Sequence, residues 1–397
     1  MAINAGGRLR FFVDLLFPLV LLGTFLFAPF RPFRFAVLAL LVIRGLSLLY
    51  AYLVPRVVQV TRSETLIHAQ RFQRFRVTLD LHNRGPIPIH YLTVTDTYGS
   101  FVVRGGSFMI ALPPGGRTQV TYEAESHYRG EFSLGPVRLR GADPMGFFSW
   151  DHQSPTPGTV LVYPAVFPVE MHEKDGLPSG SITVSSRLYE DTTRFRSVRE
   201  YVAGDELKRI NWKVSARMGK LFSTEYTPSI YYPVMIVLNL TEADYPMGQR
   251  EHLMERAIEV GGSLLFFFVS IKQEVGIITT GSIRGSDRPP SEPARAGVGH
   301  AIGILEMLAR VTAGKEPIDF TGHVLASGVP IPTGAKVMVV TPPTTDAQND
   351  SLVAMRRRGH DVQVFVVSTH QTREEDVVVP GIRSHAVRGY GSELIQR

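Results

Sequence analysis

Two long apolar runs near the start of the chain predict a membrane anchor. They extend over Phe11–Phe30 and Phe35–Val54, and a helix of about twenty residues crosses the ~30 Å hydrocarbon core of a bilayer. The connection between them, Arg31–Arg34, is short enough to force an antiparallel turn. We therefore expect a two-helix transmembrane hairpin over residues 1–56. A cleaved signal peptide is the competing interpretation, but no small-residue cleavage site follows the first run.

Basic residues around the two runs predict an orientation. Five arginines lie before the first run or after the second, against two in the turn. Because cytoplasmic flanks carry the excess of Lys and Arg, we expect both termini and the soluble domains on the cytoplasmic side of the cell membrane. Arg44 lies inside the second run, where we expect it to snorkel to the interface or to face a neighbouring protomer.

After the second run the pattern changes to short alternating segments rich in β-branched residues, such as Val77–His82 and Leu92–Thr95. Turn signals separate these segments, and no stretch has a helical period. The pattern predicts an antiparallel β-sandwich of immunoglobulin-like type over residues 57–168. A linker containing glycine and proline is expected at 169–193.

From Val234 onward, apolar segments of strand length alternate with longer helical segments. The predicted strands are Val234–Leu240, Glu274–Thr279, Lys336–Val340 and Val362–Val367, and the predicted helices are Arg250–Phe268, Val298–Val311 and Gln348–Arg358. Continuous apolar strands separated by helices indicate a doubly wound α/β domain, with a mostly parallel sheet covered on both faces. Ligand sites in such sheets lie at the carboxyl ends of the strands.

The charge of the chain argues against nucleic-acid binding. The net charge is +6, and the first 62 residues, with seven bases and one acid, account for all of it. The remainder is balanced, so no basic surface for nucleic acid is expected. The chain has no cysteine, which excludes disulfides, thiolate nucleophiles and cysteine-ligated metal sites.

Residues 194–220 form the most unusual stretch, with eight bases and three acids. We expect a helix that begins at Asp205 as N-cap and ends at Gly219. Its buried stripe would consist of Leu207, Ile210, Val214 and Met218. Trp212 falls on the opposite side, either as an anchor for a partner or covered by the preceding segment. The local positive charge also suits anionic lipid head groups.

Segments of this stretch resemble the signature of the bacterial domain-of-unknown-function family fifty-eight. The matching segments are Arg199–Asp205, Ile210–Trp212, Ser215–Arg217 and Glu225, with Tyr128–Arg140 and Asp143–Phe147 upstream. The resemblance extends over nearly the whole chain, and one departure is Asn211, where the family usually has Asp. It implies that residues 194–397 contain a von Willebrand factor A-like domain.

The resemblance also implies a partner, because members of this family are commonly associated with MoxR-type AAA+ ATPases, which are thought to act like chaperones. By analogy, part of the signature would form the docking face. The expected partner-binding residues are Arg199, Tyr201, Gly204, Asp205, Arg209, Trp212, Ser215 and Arg217.

The von Willebrand factor A fold has a metal site, built on Asp-x-Ser-x-Ser after its first strand. The matching residues here are Asn239, Thr241 and Ala243, so only Thr241 keeps a good oxygen ligand for Mg²⁺. Asp244 or Glu242 would have to substitute, and Asp346 would approach from another loop. A magnesium site at Thr241, Asn239 and Asp346 is therefore an open alternative.

No enzyme signature accompanies these features. The chain lacks a Gly-x-Ser-x-Gly elbow, a His-Glu-x-x-His zinc helix and a phosphate loop. We therefore expect a membrane-anchored, non-enzymatic scaffold or adapter that binds the lipid bilayer and a protein partner, without a small-molecule substrate. The alternative is a metal-dependent adhesion or cell-envelope structural module.

Overall fold

A computed structural model of the chain divides into two units, Met1–Val162 and Tyr163–Arg397. The described residues are 16, 19–26, 30–99, 101–169, 189–229, 233–286, 289–315, 322–324, 327–332, 334–369 and 378–387. The linker predicted at 169–193 lies mostly outside them. A strand already begins at Tyr189, within the predicted linker.

Helix α1 (Arg31–Val57) is long and apolar enough, by length and composition, to cross a membrane, and it is the one such helix among the described residues. The predicted turn between two membrane helices, Arg31–Arg34, instead forms the first turn of α1. Proline is tolerated there because the first helical N–H groups have no intrahelical acceptor. Of the first apolar run, residues 19–26 are helical and most of the rest lies outside the described residues.

Antiparallel β structure follows α1, as the alternating pattern predicts. The strands are β1 (Val58–Arg62), β2 (Leu66–Gln70), β3 (Arg74–Asn83), β4 (Ile89–Thr95), β5 (Val102–Arg104), β6 (Ser107–Leu112), β7 (Arg117–Glu125), β8 (Gly130–Leu134), β9 (Val137–Ala142), β10 (Ser149–Ser154) and β11 (Gly158–Tyr163). They form sheets of order β1-β3-β7-β5, β10-β9-β4-β6 and β2-β11-β8. Alternate residues of the long strands enter one sandwich-like core.

A buried ion pair crosses this core. Arg62 donates hydrogen bonds of 2.8 and 3.2 Å to Asp96, and both side chains are 1% exposed. The Tyr122 hydroxyl donates to the same carboxylate at 2.6 Å, and the Thr156 carbonyl accepts from Arg62 at 3.2 Å. Gly158 leaves room for the guanidinium, since a Cβ there would lie 2.6 Å from Arg62 Nε. Burial, together with the Asp96 bond, raises the pKa of Tyr122, so its hydroxyl remains a donor.

The second unit contains a β-hairpin and a mixed six-stranded sheet. Its elements are β12 (Tyr189–Glu200), α2 (Trp212–Met218), β13 (Phe222–Ser229), β14 (Val234–Leu238), α3 (Arg250–Ser270), β15 (Val275–Thr279), β16 (Ser291–Arg295), α4 (Val298–Arg310), β17 (Lys336–Thr341), α5 (Asp346–Arg357), β18 (Asp361–Val367) and β19 (Arg383–Val387). The sheet has the order β16-β15-β14-β17-β18-β19. All its neighbours pair in parallel except β16 with β15.

Helices cover both faces of this sheet, as the apolar strands predict. Ile236 and Leu238 pack with α3 and α4 in one cluster, whereas Val237 packs with Leu352 and Met355 of α5 in another. Sequence analysis did not predict strands β16 and β19, because both are edge strands. An edge strand needs no continuous apolar run, and β16 contains a proline, which only an edge tolerates readily.

We expect Asp96→Asn to lower the free energy of unfolding of the first unit by about 3–5 kcal/mol, because the Arg62 charge would stay buried without its counter-charge. Urea unfolding of the full chain in detergent measures this. The chain has two tryptophans, so Trp150 reports on this unit alone in a Trp212→Phe background.

Asp151→Asn is the matched control. Asp151 pairs with Arg138 but is 40% exposed, and the loss of an exposed pair costs less than about 1 kcal/mol. Equal effects of the two substitutions would contradict a special role for the buried pair.

Candidate functional site

The family-like signature lies on the connection between β12 and β13. These strands pair antiparallel, and Glu200 lies opposite Phe222 at the end of the ladder. The chain between them contains a short 3-10 helix, Leu207–Arg209, and α2. Most of the predicted partner-binding residues therefore lie in one hairpin connection.

An ion pair closes the first half of this connection. Arg199 donates two hydrogen bonds, of 2.8 and 2.7 Å, to the two oxygens of Asp205. The carboxylate also accepts from Val202 N at 3.1 Å, and the Tyr201 hydroxyl donates to the Asp205 carbonyl at 3.4 Å. Gly204 has a φ of 113°, which residues with a Cβ rarely adopt. The expectation that Asp205 caps a helix is wrong, because its carboxylate binds Arg199.

Helix α2 begins at Trp212, later than predicted. Asn211 is its N-cap and accepts from Val214 N at 3.2 Å, while Gly219 ends it as predicted, with a φ of 67°. Ser215 Oγ accepts from Phe222 N at 2.9 Å and ties the helix to β13. Asn and Asp cap helices about equally well, so Asn211 performs the capping that the family's usual Asp would perform.

The predicted buried stripe is wrong in part. Leu207 is 71% exposed and Met218 is 65% exposed, whereas Ile210 is buried. The stripe assumed one continuous helix, but the chain is extended at Ile210 between the 3-10 helix and α2. The helical phase is lost at that residue.

The signature surface, as we define it, consists of exposed apolar side chains and neighbouring bases of this connection. Its members are Leu207, Trp212, Met218 and Leu221, with Lys208, Lys213 and Arg217. Trp212 is 67% exposed. The three bases form no ion pair with any described residue, whereas Arg209 pairs with Glu206 at 3.5 Å. Exposed apolar side chains and bases without an ion pair to a described residue thus occur in the same connection.

The eight predicted partner-binding residues fall into two groups. Arg199, Tyr201, Gly204, Asp205 and Ser215 build the frame through internal bonds or backbone conformation. Trp212 and Arg217 are exposed on that frame, and Arg209 lies at its margin with Glu206. The sequence signature therefore contains both the residues that build the frame and residues whose side chains are exposed on it.

The second candidate site lies at the carboxyl end of β14. This strand pairs with β15 on one side and β17 on the other, so the strand order reverses here. Such a switch point is where open α/β sheets bind ligands. Asn239 and Thr241, two of the predicted metal ligands, directly follow β14, and both are 0% exposed.

Two side-chain amides donate hydrogen bonds to a carboxylate at this switch point. Asp244 Oδ2 accepts from Asn239 Nδ2 at 2.8 Å and from Gln348 Nε2 at 2.9 Å. The Asn239 side chain also donates to Thr341 Oγ1 at 3.2 Å. The backbone carbonyl of Asn239 accepts from the Tyr245 hydroxyl at 2.6 Å. Burial raises the pKa of Tyr245. An amide NH₂ is a donor, so it repels a cation at the position where a carboxylate would attract one.

Thr241 is enclosed by a neighbouring loop. Its hydroxyl donates to Thr280 Oγ1 at 3.3 Å, and its own N–H donates to Asn239 Oδ1 at 2.9 Å. Gly314 pairs with Thr241 in an isolated bridge and approaches so closely that a Cβ would lie 2.0 Å from the Thr280 carbonyl. Thr241 is therefore fully buried, and its hydroxyl is engaged with a neighbouring threonine.

The third predicted ligand, Asp346, is exposed in the first turn of α5. The residue of this helix that reaches Asp244 is Gln348, which also completes the capping box with Thr345. Among the described residues, no three His, Asp or Glu side chains are grouped to hold a metal ion. Sequence analysis overlooked Gln348, because amides carry no metal-ligand signal.

We expect the Asp205 carboxyl to titrate below the ordinary pKa of about 3.9, because hydrogen bonds from Arg199 and then from Val202 N lower its pKa. A depressed pKa makes the pair stabilising at neutral pH, and that contribution is lost as the pH falls through the lowered value. NMR titration of the Asp205 carboxyl carbon measures this pKa. Arg199→Gln should raise the midpoint, whereas Lys213→Gln, which removes a base that does not contact Asp205, should not.

We expect Asn239→Asp to convert the switch point into a magnesium-dependent site. The variant places a second carboxylate beside Asp244, so it should melt lower than wild type without metal and recover when millimolar Mg²⁺ is added. Wild type should not respond to Mg²⁺. Differential scanning calorimetry of the full chain measures both.

Asn349→Asp is the control for this experiment, because it makes the same Asn-to-Asp change on α5 and not at the end of β14, at a residue to which Thr344 supplies a hydroxyl donor at 2.6 Å. Its melting temperature should not depend on Mg²⁺. A magnesium-dependent rise in the wild type would instead favour the metal-dependent adhesion alternative.

Comparison with known families supports the resemblance in the signature. The model of the family described as "Protein of unknown function DUF58" matches residues 197–382. The uncharacterized protein YeaD of Bacillus subtilis (strain 168) is 26% identical over 270 residues. That alignment covers 65% of this chain and 62% of the Bacillus protein, so it spans less than two thirds of the relative's length.

Solved structures with similarity to this chain include small β domains. The CARDB domain of a Pyrococcus furiosus protein, in complex with di-metal ions, is 10% identical and has a TM-score of 0.19; the match covers 26% of this chain and 86% of that one. A PapD-like domain of human CEP192 is 10% identical with a TM-score of 0.20, covering 27% and 84%.

Proposed function

We propose that this protein is a membrane-anchored, non-enzymatic adapter whose signature surface binds a protein partner. The observation that carries the proposal is the 67% exposure of Trp212 on a frame held by internal bonds. Tryptophan and arginine are enriched among the residues that dominate binding energies at protein interfaces. An exposed tryptophan on the same short helix as the exposed base Arg217, which has no ion pair with a described residue, is therefore well suited to anchor a partner.

The rigidity of the frame supports binding. The Arg199–Asp205 pair, the Asn211 cap and the Ser215 bond to β13 hold the connection before any partner arrives. A pre-organised surface loses less conformational entropy on association. Trp212 needs no loop ordering to be presented.

The charge of the surface indicates the chemistry of the partner. Lys208, Lys213 and Arg217 lack ion pairs with described residues, so an acidic partner surface would complement them. The family resemblance suggests a MoxR-type AAA+ ATPase. The same charge together with an exposed tryptophan would also suit an anionic lipid surface, which is the alternative to a protein partner.

The proposed topology places this surface at the inner face of the cell membrane. Helix α1 and the preceding apolar run would form a transmembrane hairpin, with both termini in the cytoplasm according to the excess of flanking arginines. The immunoglobulin-like β-sandwich would follow as a spacer. The sheet order, with an antiparallel β16 at one edge, supports a von Willebrand factor A-like fold for the second unit.

We expect Trp212→Ala and Arg217→Glu each to weaken capture of an AAA+ ATPase. Loss of a central tryptophan typically costs about 2 kcal/mol or more, roughly a 30-fold loss of affinity. The test is cross-linking of the full-length protein in its native membrane, identification of the captured ATPase, and titration of that purified ATPase against each variant in detergent.

Met247→Ala is the matched control, since Met247 is an 89% exposed apolar residue of the same unit outside the signature. It should bind like wild type. Unchanged binding by both Trp212→Ala and Arg217→Glu would contradict the proposal that the signature surface is the docking face. Capture of envelope components without an ATPase would favour the structural alternative.

A further inference from the structure

Helix α1 has one face against the β-sandwich. Ser47, Tyr50 and Val54 are buried, and the Tyr50 hydroxyl donates to the Pro88 carbonyl at 3.0 Å. The spacing of these residues places them on one side of the helix. The second half of α1 is therefore packed on protein along its length, and does not stand clear of the sandwich.

The neighbouring face of the same half is apolar and exposed. Leu46 is 61% exposed, Leu49 is 51% exposed and Leu53 is 36% exposed. Arg56 lies over the Tyr52 ring, 3.6 Å from its centroid, and Tyr and Arg side chains are typical of a membrane interface. Lipid on this face would thus extend to about the level of Leu53.

These two faces place part of the sandwich at the depth of lipid. Arg44 lies about 12 to 18 Å along the axis before Tyr52 and Arg56. Its guanidinium carbon is 4.9 Å from the ring centroid of Phe148 and 5.9 Å from that of Phe147. Both rings belong to the β9–β10 turn, so this turn lies beside the apolar part of α1. The cation is therefore close to two aromatic rings of the same chain.

The turn is built to hold apolar side chains outward. Asp143 is 4% exposed, and its carboxylate accepts from Phe148 N at 2.5 Å and from Met145 N at 2.9 Å. Gly146 has a φ of 73° at the tip. Met145 is 64% exposed and Phe147 is 37% exposed. The one acid of the turn is occupied with its own backbone, so the tip presents no carboxylate to its surroundings.

We propose that the β9–β10 turn, residues 143–148, inserts into the bilayer surface beside α1 as a second membrane contact. The inference rests on the proposed membrane anchor. Met145 and Phe147 would bury apolar surface in lipid beside α1, at the level that the Arg44 guanidinium reaches. Arg44 would keep its charge between the aromatic rings and reach toward the head groups. The contact would restrict the orientation of the first unit relative to the membrane plane.

Bilayer depth can be read from single labelled cysteines, because the chain has no native cysteine. The full-length protein carrying Met145→Cys is labelled with an environment-sensitive fluorophore and reconstituted into phosphatidylcholine–phosphatidylglycerol vesicles. We expect blue-shifted emission, strong quenching by spin-labelled lipids and weak quenching by aqueous iodide.

Two further positions make the result decisive. Tyr128→Cys is the matched control, since Tyr128 is also 64% exposed but lies beyond the end of β7. That strand runs from Arg117, opposite His82, to Glu125, about 26 Å along the sandwich. Its label should be quenched by iodide and not by lipid. Leu46→Cys, on the outer face of α1, should be quenched by lipid.

The outcomes separate the inference from the anchor on which it rests. A Met145 label that behaves like the Tyr128 label, with Leu46 still quenched by lipid, would overturn insertion of the turn and leave the anchor intact. Quenching of the Leu46 label by iodide alone would overturn the anchor itself, and the inference with it.

Discussion

The Arg199–Asp205 pair is the interaction on which the candidate docking surface depends. It closes the first half of the connection between β12 and β13, and the backbone N–H of Val202 completes its geometry. A bidentate guanidinium–carboxylate pair restricts orientation as well as distance. The following 3-10 helix and α2 can therefore start from a defined position. Without that closure, the exposed side chain of Trp212 would be attached to a loop whose ordering had to accompany binding.

The same principle explains why several signature residues form bonds or backbone conformations within the connection itself. Gly204 supplies a backbone conformation, Asn211 supplies a cap and Ser215 supplies an acceptor for β13. Each satisfies a backbone requirement that only a few residue types can meet. Trp212 has no such structural duty among the described contacts, which is the physical reason to assign it to recognition.

Two polar clusters, one buried and one partly buried, show how the chain balances carboxylates within the protein. In the first unit the Asp96 carboxylate is balanced by Arg62 and by the Tyr122 hydroxyl. At the end of β14 the Asp244 carboxylate accepts two amide donors instead of a cation. Both arrangements satisfy a carboxylate internally. The second one occupies the switch point of the sheet with protein groups, where open α/β sheets commonly bind ligands.

The pattern of apolar residues alone was sufficient to predict the apolar helix α1, the antiparallel strands, and the central strands and helices of the second unit. Burial of an element on one face or on both gives its sequence a recognisable apolar pattern. The resemblance to a known family, and not periodicity, drew attention to Asn239. The edge strands, the break at Ile210 and the role of Gln348 were decided by tertiary structure, since each depends on a partner distant in sequence. The same holds for Arg44, whose neighbours Phe147 and Phe148 lie more than a hundred residues away. Local pattern reports how much of a side chain is buried, but only the folded chain determines what it is buried against.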